Sequence, residues 1–199
     1  MPVQIGRREP DFANPLGLLS GCHRRIEQFL SVLSRVARER RHGAMSGDEA
    51  ASFAKALDYF RGAAPKHTRD EEDSLFPRMR EAGGDEVTAA MASLEELETD
   101  HAAADAAHGE VDILGRRWLE SGCLEKAEAN RLVSLLECVS GIYDRHIAVE
   151  DRDVFPLAAR VLGREEIAAI GEEMAARRGA KSYPDKLVLM SQAHGDSNA

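Results

Sequence analysis

Apolar residues recur every three or four positions through most of this chain, and four long stretches of that pattern predict four helices. The first stripe is Leu19, Cys22, Ile26, Phe29, Leu33 and Val36. Asn14-Pro15 marks its start, because asparagine caps a helix and proline at the first position loses no hydrogen bond. This helix is predicted to end near His42-Gly43. Ser46 and Glu49 have capping-box spacing and open a second helix, which carries Phe53, Leu57 and Phe60 on one face. Pro65 predicts a kink, since it lacks an N–H and its ring crowds the carbonyl one turn back. The helix resumes through His67, passes Phe76-Pro77 and stops at Gly83-Gly84. A third helix is predicted over residues 86–120, with Leu94, Leu97, His101, Ala104, His108 and Val111 stepping by threes and fours like a bundle seam. Ser121-Gly122 ends it. The fourth helix carries Leu132, Leu135, Val139, Ile142, His146 and Val149 and is predicted to end near Phe155-Pro156.

The pattern also repeats. His67-Thr-Arg-Asp-Glu71 and the Leu75-Phe76-Pro77 after it align with His146-Ile-Ala-Val-Glu150 and Val154-Phe155-Pro156, and His23 aligns with His101. Two matched helical hairpins of this kind pack against each other to bury a shared core. The expected fold is therefore all-α, an antiparallel up-down-up-down four-helix bundle with a short fifth C-terminal helix. Its expected limits are an extension over residues 1–13, the bundle over 14–163, an accessory helix over 164–179 closed by Gly179, and a tail over 180–199. Residues 186–190 of that tail are apolar enough to dock on the bundle.

Composition narrows the function classes. The hydrophobic fraction of 43% supports a core, and 5% aromatic residues with frequent Ala, Leu, Glu and Arg favours helix over sheet. The net charge of −9 argues against nucleic acid or an anionic membrane as partner. The clustered Arg38, Arg40 and Arg41 read as a solvated helix end. Cys22, Cys123 and Cys138 are scattered, so neither a disulfide framework nor a thiolate zinc site is expected. No signal peptide and no apolar run of membrane length is visible, and a soluble, cytoplasmic protein is expected.

The chemistry lies in the polar residues on the apolar stripes. Residues four apart share a helix face, so His67 and Glu71 aim at one point, and His146 and Glu150 at another. His23 and His101 sit among the apolar residues of the first and third helices. One core histidine is ordinarily a hydrogen-bonded core residue, and an acidic run such as residues 70–73 is ordinarily a solvated face. Four core histidines, two with Glu at matched spacing, are different, because burying them uncompensated costs several kcal/mol per charge. Metal ions offset that cost. Imidazole and carboxylate without thiolate suit iron, manganese or zinc. Six ligands exceed the four of one structural zinc and suit two metals, each with two histidines and bridged by two carboxylates. The His-x-x-x-Glu order differs from the Glu-x-x-His of ferritin-like sites.

His23, His67-x-x-x-Glu71, His101 and His146-x-x-x-Glu150 resemble the pattern of hemerythrin-like HHE cation-binding proteins, and both Phe-Pro tripeptides look like that family. The resemblance covers residues 15–162. It implies a non-haem di-iron centre of two iron ions with a solvent-derived bridging oxygen, Glu71 and Glu150 being the bridging carboxylates. Oxygen-carrying hemerythrins have His-x-x-x-His on the third helix, whereas Leu97 and Asp105 flank His101 at that spacing, which argues against simple oxygen transport. Those carriers also place Asp five residues after the last histidine, where Asp151 stands; the match to Glu71 favours Glu150. Glu72 and Asp151 are then matched groups behind the ligands or at the surface. His108 has two readings, an extra ligand or a group behind the ligands, and its two-turn distance from His101 favours the second. Tyr143, and less so Tyr59, could face the site or simply fill the core. Cys22 reads as a small buried hydrophobe.

The expected activity is a redox reaction with O2 or hydrogen peroxide, most concretely peroxide disproportionation. The alternatives are a binding module that senses oxygen, nitric oxide or iron, and iron delivery or iron-centre repair.

Overall fold

The computed structural model describes residues 11–41 and 43–180, and every regular element among them is helical. The predicted docking of residues 186–190 lies outside the described residues. Helix α1 (Pro15–Glu39) starts as its sequence requires, with the Asn14 side chain accepting from the Gly17 N–H. It stops short of His42-Gly43, because Arg40 leaves helical geometry and its guanidinium bonds Glu49 at 3.0 Å. Helix α2 (Gly47–Gly62) opens on the expected Ser46/Glu49 capping box. Pro65 breaks the rod as predicted, and α3 (Ala64–Asp70) begins beside it.

A π-helical turn, Glu71–Leu75, joins α3 to α4 (Phe76–Ala82). After α5 (Asp85–Ser121) and α6 (Lys126–Val149) the same device recurs as Glu150–Val154, leading into α7 (Phe155–Val161). In each turn the phenylalanine N–H reaches back five residues, Phe76 to the Glu71 carbonyl and Phe155 to that of Glu150. The cause is in the next residue. Pro77 and Pro156 have no N–H, and in an unbroken α-helix their rings would strike a carbonyl four residues back. One extra residue in the turn relieves that clash. The fourth rod therefore continues to Val161 rather than ending near Phe155-Pro156 as predicted. Gly83, Gly84 and Gly122 provide the expected stops with φ of 63°, 89° and 76°, a region side-chain-bearing residues avoid.

Helix α1 packs on α2 and α6, and α5 packs on the same two, which closes a ring of four rods. The core inside has two apolar layers. One holds Ile26, Leu33, Phe53, Val111, Trp118 and Leu136; the other holds Leu19, Phe76, Leu94, Leu97, Phe155 and Met174. Helix α8 (Arg164–Arg177) caps the second layer through Ile170 and Met174, both fully buried. Residues 11–14 cross over α8 at Gly171, where a Cβ would lie 2.0 Å from the Phe12 carbonyl oxygen. Of the expected stripes, Phe29, Ile142 and Val149 are only half-buried, and the other apolar members named are buried. No helix among the described residues is long and apolar enough to cross a membrane.

Two glycines of α5 should respond oppositely to the same change. A Cβ on Gly115 would meet Leu57 Cδ1 at 2.8 Å and Phe53 Cε1 at 3.0 Å, whereas one on Gly109 meets nothing within 4 Å. Gly109→Ala should stabilise by about 0.5–1 kcal/mol through helix propensity. Gly115→Ala should destabilise by about 1 kcal/mol, overpacking exceeding that gain. Urea denaturation of both variants checks the signs; stabilisation by Gly115→Ala would show that Leu57 and Phe53 repack freely.

Candidate metal centre

Between the two apolar layers lies one polar layer, and all six expected residues converge there. Ligand-type atoms of His23, His67, Glu71 and Glu150 lie within 4.8 Å of one another, and so do those of Glu71, His101, His146 and Glu150. Each histidine pair belongs to one half of the internal repeat, and both carboxylates are common to both clusters. The layer is dry, with His23, Glu71 and Glu150 at 0% exposure and His101, the most open, at 7%.

The helix geometry sets the aim of each group. His67 and His146 stand one turn before Glu71 and Glu150, their Nε2 atoms 3.3 Å and 3.2 Å from the carboxylate oxygens. Each glutamate opens its π-helical turn, so the widened backbone begins at the residue that reaches across to the other pair. Glu71 turns Oε1 toward His67 and Oε2 toward His101, the latter at 3.3 Å. Glu150 turns Oε2 toward His23, at 3.1 Å, and Oε1 toward His146.

The far nitrogens explain the near ones. Asp151 accepts from His23 Nδ1 at 3.0 Å, and Glu72 accepts from His101 Nδ1 at 2.9 Å. These are the two carboxylates left between an inner role and the surface by the sequence. A carboxylate acceptor places the proton on Nδ1, so Nε2 keeps its lone pair. Yet His23 Nε2 faces a Glu150 oxygen, also an acceptor, at 3.1 Å. Two lone pairs at that distance repel unless a cation joins them, either a metal ion or the second proton of an imidazolium. His23 Nε2, both oxygens of Glu71, both oxygens of Glu150 and both nitrogens of His146 lack a hydrogen-bond partner although fully buried. Such a concentration of unpartnered buried polar atoms fits the binding of cations.

Without an ion the layer is electrostatically divided. Burial pushes the Glu71 carboxyl well above the usual range, and the charge of Glu150 adds to it. Burial likewise drives His67 well below its ordinary value. For His23 burial opposes the charge, but Glu150, Glu71 and Asp151 together raise its pKa. Dications would replace these competing protons, and the donor set of imidazole and carboxylate fits them.

Other groups lie where the sequence did not place them. Asp70, read as part of a solvated run, is fully buried and bonded by Arg177 at 2.9 Å and Arg178 at 3.1 Å. Arg177 also donates to Ser74, and Arg78 bonds Glu173, so α8 clamps the first π-helical turn. The adjacent arginines at the end of α8 were the available signal. Cys22 is buried but not merely apolar, since Arg25 donates to its sulfur at 3.0 Å. Burial lifts the Tyr59 hydroxyl to about 12, and the ring stacks on Phe29 rather than entering the site.

His108 belongs to neither cluster. Its ring stacks on Phe60 at 4.1 Å, and its Nε2 lies 3.3 Å from the Tyr143 hydroxyl. That hydroxyl is turned to His108, while the Tyr143 ring stands 6.5 Å from that of His146. His42 and His194 lie outside the described residues.

Desolvation lowers the pKa of His108 to about 4, against 6.5 when free. The unfolded chain therefore binds the extra proton first as pH falls, and the stability contributed by neutral His108 is lost between about pH 6.5 and 4. His108→Phe keeps the stack on Phe60 and removes the titration. Metal-free wild type should lose more stability over that window than metal-free His108→Phe, measured by urea midpoints; equal losses would mean that His108 is solvated.

The comparisons agree with this geometry. A protein of Haemophilus influenzae described as uncharacterized is 29% identical over 171 residues, spanning 84% of this chain and 91% of that protein. The hemerythrin HHE cation-binding domain matches residues 14–158, which hold all six clustered residues. This chain belongs to the hemerythrin HHE cation-binding family.

Proposed function

We propose that this protein is a non-haem di-iron protein that binds oxygen-derived small ligands and disproportionates hydrogen peroxide. The observation that carries the reading is the pair of four-residue clusters sharing Glu71 and Glu150. His23 and His67 would hold one iron and His101 and His146 the other, with each glutamate giving one oxygen to each. The ring of packed rods and the short connections between them support an antiparallel up-down-up-down bundle over residues 14–163. Residues 164–179 are its accessory helix.

When bound, a pair of irons would supply the paired one-electron redox changes that oxygen chemistry needs. The chain's own groups do the rest. Asp151 and Glu72 fix the ring orientation and tautomer of His23 and His101. Phe155 stacks on His23 at 5.4 Å and shuts water from that side. The carboxylates and imidazoles are held by rigid helices, so the distance between the two halves is preset. Two molecules of hydrogen peroxide give two of water and one of oxygen, so peroxide serves as both oxidant and reductant. O2 and nitric oxide are the other ligands of the right size and chemistry.

Elemental mass spectrometry of protein purified with iron should find about two irons per chain, one for each four-ligand cluster. Glu71→Ala and Glu150→Ala should each lose both irons and all peroxide turnover. Asp151→Ala and Glu72→Ala should bind iron about 10–100-fold more weakly without losing the fold. A single zinc, or no metal after reconstitution, refutes the proposal. Two irons with stoichiometric, reversible ligand binding and no turnover would instead make the protein a sensor or carrier.

A further inference from the structure

The two hairpins repeat, but their surroundings do not. A cavity of about 500 Å3 opens between α3 and α5, and His101 forms part of its wall. Phe60, Thr68, Ala102, Ala104, His108 and Tyr143 are among the other residues that line it. His23 and His67 are not part of that wall.

The repeat explains the one-sidedness. Through the alignment of His101 with His23, Ala102, Ala104 and His108 correspond to Arg24, Ile26 and Leu30, and Thr68 corresponds to Ile147. On the His23 side, Ile26, Leu30 and Ile147 are buried at 1%, 4% and 5% exposure, so larger apolar groups occupy the equivalent volume. Arg24 closes that side from outside, its guanidinium bonding Asp151 at 2.7 Å. Alanine at both corresponding positions leaves the other side open. A groove on the face of α1 and α6, between Glu27 and Asp144, contains none of the six clustered residues.

The wall also has a chemical character. Its charged groups are Glu72, Glu98 and Asp105 against Arg69, and with Glu98 paired to Arg80 at 2.8 Å an excess of carboxylate remains in Glu72 and Asp105. The polar pair deeper in is His108 and Tyr143, and His108 Nδ1 is buried without a partner. A negative mouth repels small anions and leaves neutral molecules unaffected.

We propose that small neutral ligands reach the metal pair through this cavity, at the half held by His101 and His146, with His108 and Tyr143 as the hydrogen-bonding wall around them. The proposal rests on the di-iron reading. It selects neutral diatomics and undissociated hydrogen peroxide over azide-like anions, and it makes the two metals unequal in spite of their matched ligands.

The test is the rate of ligand binding to iron-loaded, full-length protein, with iron content measured on the same samples. Nitric oxide is the neutral probe for the reduced protein, and azide the anionic probe for the oxidised one, both by stopped-flow absorbance. Ala104→Ile copies the residue that fills the other side, and Ala102→Trp blocks the mouth from an exposed position that does not threaten folding. Each should slow nitric oxide binding about tenfold or more with iron content unchanged. Asp105→Lys should speed azide binding about threefold or more at low salt, lose that gain at high salt, and leave nitric oxide unchanged. If iron-loaded Ala104→Ile and Ala102→Trp both bind nitric oxide at the wild-type rate, ligands enter elsewhere and the inference fails. A chain that holds no iron overturns the di-iron reading itself, and this inference with it.

Discussion

Two carboxylates and four imidazoles are buried in one layer, and beyond the bonds of His23 to Asp151 and His101 to Glu72 they chiefly face one another. That constraint organises the molecule. Such a layer is unfavourable on its own, since each buried charge without a counter-charge costs several kcal/mol. It is tolerated because apolar layers on both sides fix the rods rigidly and because the acceptors converge tightly enough for cations to join them. The core is thus not one apolar interior with a site at its edge. It is two cores with the site as the partition, His23 standing between Leu19 of one layer and Ile26 of the other.

The backbone answers the same demand. A straight α-helix would place His67 and Glu71 on one face but give no reason for the chain to widen there. The proline six residues after each glutamate supplies the reason, and the resulting π-helical turn begins at the glutamate itself. Helix α8 then braces the first of these turns by its arginines on Asp70. A local breaker, a ligand-type residue and a distant helix end are linked by one widened stretch of helix.

Much of this was legible in the sequence because it depends on spacing. Four-residue intervals set His67 against Glu71 and His146 against Glu150, and the stripes of α1 and α5 show His23 and His101 facing inward whatever the rest of the chain does. The starts at Asn14 and Ser46 and the stops at Gly83-Gly84 and Gly122 are local as well. What could not be read depends on contacts between segments far apart in the chain. Asp70 belongs to an acidic run by sequence and to Arg177 and Arg178 by packing. Glu72 and Asp151 read as groups behind the ligands or at the surface, and only the opposing histidines decide between the two. The end of the fourth rod was misjudged because proline was taken as a stop, whereas a π-helical turn carries the helix past it.

The crossed hydrogen bonds from His23 to Asp151 and from His101 to Glu72 have a broader consequence. Each half of the repeat contains both imidazoles of one cluster, yet neither can orient its first histidine without the other half's carboxylate. The orienting contact is thus reciprocal, each half supplying the carboxylate that the other half's first histidine needs. The arrangement is pseudo-symmetric, two matched halves within a single polypeptide. Because the halves are separate stretches of one chain they need not be identical, and one carries arginine and isoleucine where the other has alanine.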